Sequence, residues 1–163
     1  MSTSTAPRGT PVIIATFIVA LLLTIVPMPD WLALARPEWS ALFLLYWCIL
    51  LPFRVGVGSA WVLGLMLDVL RGALLGQHAL ALTVVAYLAL KLHLRLRLYP
   101  LRQQALSVLV LVTIFQLLLL WTSGMIGKPA TSWVYWLPAL SSMLVWPLVF
   151  GALTALRRGF DVA

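Results

Sequence analysis

At 163 residues and 18.0 kDa the chain has room for one domain. Hydrophobic residues make up 63% and charged residues 9%, against roughly 45–50% and about 25% in soluble domains. A mean hydropathy of +1.07 leaves too little polar surface to coat a globule in water. Disorder, a coiled coil and a secreted disulfide scaffold are excluded together, and the lone Cys48 has no second thiol in the chain to bridge to.

A helix crossing the hydrocarbon core needs about 20 mostly apolar residues at roughly 1.5 Å rise each. Divided where charges and Pro/Gly cluster, the chain gives six apolar runs. The first, about 12–26, ends at Pro27-Met28-Pro29-Asp30. Ala33-Leu34-Ala35 beyond it imitates a signal-peptide cleavage site but lies well past the run, so an uncleaved first helix is expected. The second, 39–51, stops at Pro52-Phe53-Arg54, which suits a tight turn at a membrane surface. The third, 55–70, contains Asp68 and runs into Arg71-Gly72. The fourth, 78–94, carries Lys91 and His93 in its last turns, and the fifth spans about 104–121. The breakers Thr122-Ser123-Gly124 and Gly127-Lys128-Pro129 precede the sixth, 133–156, which Pro138 and Pro147 are expected to kink. The expectation is an all-α integral membrane protein, a six-helix transmembrane bundle forming a single domain over residues 1–163. The second and third runs are only thirteen and sixteen residues long, so tilt, re-entrance or a break in one of them stays open.

With six spans and the N-terminus inside, one side receives eight positive charges: Arg8, Arg54, Lys91, Arg95, Arg97, Arg102, Arg157 and Arg158. The other receives three, Arg36, Arg71 and Lys128, and the positive-inside rule places both termini in the cytoplasm. A five-span chain with its N-terminus outside gives the same count, so only the cytoplasmic C-terminus is common to both. The net charge of +7 does not point to nucleic acid, because the basic residues are spread over loops instead of forming a groove. The densest cluster, Lys91, Arg95, Arg97 and Arg102, is expected to anchor a helix end to anionic lipid headgroups at on the order of 1 kcal/mol per charge. Trp31, Trp39, Trp121, Trp133 and Trp136 fall near the ends of the runs, as an aromatic belt requires.

Asp68 is the acidic side chain inside an apolar run. Three readings stand open for it: an interfacial carboxylate paired with Arg71 one turn on, an interhelical or intersubunit hydrogen-bonding group, and a proton or cation site. Gly64, Asp68 and Gly72 recur every fourth residue, with Gly76 following and Gly56 and Gly58 before them. Small residues let helix backbones approach closely in lipid, so this face is a candidate for close helix contact, within the fold or with a partner. His78 and His93, fifteen residues apart, cannot share a metal ion. No nucleophile–base pair and no phosphate-cradling motif is visible, so no enzyme, cofactor or metal site is expected.

Arg36-Pro37-Glu38-Trp39, Leu51-Pro52-Phe53-Arg54-Val55-Gly56-Val57-Gly58, the segment from Gly64 through Asp68, Arg71 and Gly72, and Leu75-Gly76-Gln77-His78 together resemble the bacterial rod shape-determining protein MreD family. The resemblance continues through Tyr87-Leu88 and the basic run to Gln103-Gln104, covering about residues 36–104, with Arg102 departing from the pattern. It implies a non-enzymatic scaffold in the bacterial inner membrane, part of the cell-elongation complex. Such a scaffold binds MreC and connects MreB filaments to RodA and its transpeptidase partner. It also implies a fold similar to the S components of vitamin transporters, which keeps a small-molecule-binding transporter subunit as the alternative. The residues it marks as structural or partner-contacting are Arg54, Gly56, Gly58, Gly64, Asp68, Arg71, Gly72, Gly76 and His78.

Overall fold

The computed structural model describes residues 9–30, 36–53, 55–72, 75–125, 127 and 136–160. These residues form six α-helices: α1 (Thr10–Ile25), α2 (Trp39–Leu50), α3 (Val57–Arg71), α4 (Gln77–Leu98), α5 (Leu101–Met125) and α6 (Leu137–Gly159). The protein is an all-α membrane protein. Three of its helices, α4, α5 and α6, are long and apolar enough to cross a bilayer. The other three have 16, 12 and 15 residues, or roughly 24, 18 and 22 Å against a hydrocarbon core of about 30 Å.

The shortest helix is the most enclosed. Every residue of α2 from Ser40 to Ile49 is buried, with Leu42, Leu44, Leu45, Tyr46, Trp47 and Cys48 wholly inaccessible. Helix α2 is packed by α1, α4 and α6, with α5 also reaching it, and α3 lies against α4. An all-apolar helix wrapped by its neighbours needs no amphipathic stripe, which explains why its sequence shows none. Where α2 does carry polar atoms, they tie it to the wrapping helices. The Trp47 Nε1–H donates to Thr16 Oγ1 of α1 at 3.0 Å, and Tyr46 Oη meets Thr154 Oγ1 of α6 at 2.9 Å. Tyr46 also sits edge-on to Trp47 and Phe150, at 5.1 and 5.6 Å between ring centres.

Two helices run further than their apolar runs. In α4 the basic stretch stays helical to Leu98 because Leu96 turns into the core, and Tyr99-Pro100 ends it. Helix α5 begins at once with Leu101. Pro138, expected as a kink, instead occupies the first turn of α6, where its missing N–H costs no hydrogen bond. Pro147 is the proline inside that helix.

Helices α3 and α4 are in backbone contact. A Cβ added at Gly64 would lie 2.2 Å from Ala79 Cα and 2.5 Å from Ala79 N, whereas one added at Gly58 meets nothing within 4 Å. Gly64→Ala is therefore expected to lower stability by about 2 kcal/mol or more, since the two helices must separate. Gly58→Ala should leave the unfolding midpoint unchanged or slightly raised. Thermal unfolding of the two variants in detergent, followed by circular dichroism, checks the contrast.

Candidate functional site

The contact at Gly64 brings the C-terminal turn of α3 against the opening of α4, and there the polar residues of the third run converge. Asp68 is 1% exposed. Its Oδ2 accepts from the Gly76 N–H and its Oδ1 from the His78 N–H, both at 2.8 Å. The first N–H groups of a helix have no acceptor within it. The α3 carboxylate supplies one from a neighbouring helix, and its charge also complements the positive end of the α4 dipole. The chain makes the return between the two helices through glycines in the left-handed region, Gly72 at φ 64° and Gly76 at φ 100°. Glycine enters that region without the steric cost other residues meet.

Beyond Asp68 the network continues outward. His78 Nδ1 lies 2.8 Å from Asp68 Oδ1, and His78 Nε2 lies 3.3 Å from Arg71 Nη1. With the proton on Nδ1, the imidazole donates to the carboxylate and accepts from the guanidinium, so both ring nitrogens are engaged. Arg71 Nη2 pairs with Glu38 Oε2 at 3.4 Å, and the Glu38 N–H donates to Ser142 Oγ at 3.0 Å. Asp68, His78, Arg71, Glu38 and Ser142 thus link α3, α4, α2 and α6 in one chain of contacts, buried except at Arg71 and reaching Ser142 through the Glu38 backbone. With that tautomer neither ring nitrogen keeps a free lone pair, and the histidine is 5% exposed. The arrangement holds helix ends together.

The expected site residues divide accordingly. Gly64, Asp68, Arg71, Gly72, Gly76 and His78 meet at this junction. Of the open readings for Asp68, the interhelical hydrogen-bonding geometry is the one present, and the ion pair of Arg71 is with Glu38. Gly56 is the residue preceding α3, close to Leu90, and Gly58 is exposed on α3. Arg54 lies outside the described residues. Of the basic cluster, Arg95 and Arg102 are exposed, and the Lys91 ammonium sits 4.7 Å over the Tyr87 ring. Arg97 does something the sequence did not reveal: its Nη2 donates to the carbonyls of Ile49 and Leu50, at 3.1 and 2.9 Å, and so caps the end of α2. His93 donates locally to the Leu90 carbonyl.

Other capping groups also escaped the sequence. Arg36 donates through both Nη atoms to the Thr24 and Val26 carbonyls that close α1. Buried Gln104 donates to the Leu96 carbonyl near the end of α4 at 2.9 Å and accepts from Trp146 Nε1 of α6 at 3.1 Å. The signal for Arg36 and Glu38 was the charged stretch Arg36-Pro37-Glu38-Trp39 lying just before an all-apolar helix; for Gln104 there was only an amide in an apolar run.

Comparison with known proteins places this geometry. The family model described as rod shape-determining protein MreD matches residues 9–156. The chain belongs to the MreD family. It is 35% identical over 146 residues to the rod shape-determining protein MreD of Haemophilus influenzae, covering 90% of each chain. The match therefore extends well beyond the segment 36–104 on which the sequence resemblance rested, taking in α1 and most of α6. No solved structure matches the chain. Membership in this family assigns the protein a role in rod shape determination.

Asp68→Asn keeps the volume but removes the charge and turns an amide NH2 against one of the two backbone donors. The expected loss is about 1–3 kcal/mol, read as a lowered unfolding midpoint. Arg71→Gln should cost less, because its side chain is 31% exposed and its pair is partly solvated. Arg97→Ala should lose about 1 kcal/mol through the uncapped α2 carbonyls, while Arg95→Ala should not change the midpoint.

Proposed function

We propose that the protein is a non-enzymatic scaffold of the bacterial cell-elongation complex, seated in the inner membrane with both termini in the cytoplasm. In this reading it binds the membrane helix of MreC and so connects MreB filaments to RodA and its transpeptidase partner. The observation that carries the proposal is the division of labour on α3. One face of the helix, Ala60, Leu63, Gly64, Leu67 and Asp68, is buried against the bundle. The other presents Trp61, Val62, Met66 and Val69 outward, with Val69 72% exposed. All the charge of the junction is satisfied internally, so this outer face is left to make lateral contacts by shape. A groove of about 580 Å³ runs beside it between α1 and α3, with the small residues Gly58 and Ser59 in its wall. Small residues at such a surface let a second helix approach closely, and in lipid extended packing carries more of the affinity than single hydrogen bonds of about 0.6 kcal/mol.

The reading fits the charge count of eight against three, which puts the Asp68 junction on the periplasmic side. It is tested by copurification. The protein should hold MreC in mild detergent, and Val62→Trp should weaken that association about tenfold, equivalent to about 1.4 kcal/mol, without lowering its own unfolding midpoint. Depletion should round the cells. Normal rods after clean deletion of the gene would refute the proposal.

A further inference from the structure

Among the described residues, two donors at the start of α2 lack acceptors. Arg36 uses both Nη atoms on the α1 carbonyls, yet its Nε–H is buried with no partner among the described residues, and so is the indole Nε1–H of Trp39. An unmet buried donor is costly, and more so when the group is charged. Two of them three residues apart mark a place where an acceptor belongs. Both side chains line the same groove of about 350 Å³, together with Met28, Pro37, Ser141 and Val145.

Trp39 also lines a second groove, about 640 Å³, between α1 and α6 and against Phe43 of α2. Its walls are almost entirely apolar, with Ala15 and Ala152 on its two sides. Along α6 the lining positions Ser141, Val145, Leu148, Ala152, Leu156 and Phe160 recur every three or four residues, so one face of that helix carries the channel along nearly its whole length. Nineteen residues separate Ser141 from Phe160, about 28 Å at the rise of a helix. The unmet donors sit at one end of a long apolar slot that opens to lipid.

We propose that this slot binds one anionic phospholipid, its phosphate accepting from Arg36 and Trp39 and one acyl chain lying along α6. The positive charge of Arg36 complements the phosphate, whose anionic oxygens answer the two N–H groups once those side chains turn towards the groove they already line. A partner helix is the poorer occupant, because its backbone acceptors are engaged internally and the two donors would stay unmet. Arg157 and Arg158 lie near the other end of the slot, but among the described residues no buried side-chain donor there lacks a partner. The slot uses a different face of α1 from the groove beside α3, so the proposal does not depend on how MreC binds.

The test compares phosphatidylglycerol with diacylglycerol of the same acyl chains, which has no phosphate, added to the purified full-length protein in mild detergent. Bound lipid is counted by native mass spectrometry, and Tm is read in parallel. The wild type should retain phosphatidylglycerol about tenfold better, the value of one hydrogen bond to a charged group. Trp39→Phe, which keeps the ring and loses only the N–H, should abolish most of that preference. Ala152→Phe should fill the slot and release both lipids, and the paired change Arg157→Gln with Arg158→Gln should alter neither. Equal retention of the two lipids by the wild type would overturn the proposal. So would an unchanged preference in Trp39→Phe, or a loss that follows Arg157 and Arg158 instead. If Ala152→Phe does not fold, as size-exclusion chromatography would show, Trp39→Phe decides alone.

Discussion

Inside a bilayer no water reaches the N–H groups that open a helix or the carbonyls that close it, and each group left unmet there is costly. This chain has three helices shorter than the hydrocarbon core is thick, so several of its helix ends depend on protein for their partners. The few polar side chains it owns are placed at those ends. Arg36 closes α1, Arg97 closes α2, Asp68 opens α4 and Gln104 meets the Leu96 carbonyl near its close. Each of these side chains comes from a different segment than the end it serves, so capping and tertiary assembly are the same act. Among the described charged residues, Arg36, Asp68 and Arg97 are the ones whose side chains meet backbone at a helix end.

This placement also bears on what the protein does. The Asp–His pair and the Arg–Glu pair of the junction are linked through Arg71 and His78, and the Asp68 carboxylate accepts from the opening of α4. What remains free is the outside of the bundle, apolar along α3 and in the slots beside α1. The protein carries the MreD family's role in rod shape determination on a bundle built in this way.

The membrane class and the six helices were legible in the amino-acid order, because hydropathy is a local signal. Helix α2 was recognisable as apolar, but its enclosure was not, because the helices folded around it are distant in the chain. The partners of Asp68 lie eight and ten residues away across two glycine turns, beyond any helical period, so the nearer Arg71 looked like its mate. Arg97 looked like a headgroup anchor for a similar reason: its acceptors, Ile49 and Leu50, are nearly fifty positions earlier in the chain. Trp47, Trp146 and Thr16 were invisible as a group, since an indole in an apolar run carries no mark of which hydroxyl or amide it will meet.

The enclosure of α2 has a consequence for how the chain enters the membrane. A segment of twelve residues is too short to be retained by lipid alone when it leaves the insertion machinery. Of the helices that wrap it, only α1 has been synthesised by then, and α4, α5 and α6 are still to come. Biogenesis therefore cannot proceed as a series of independent insertions. The nascent α2 has to wait beside α1, held by contacts such as Trp47 with Thr16, until the later helices close around it and withdraw it from the bilayer for good.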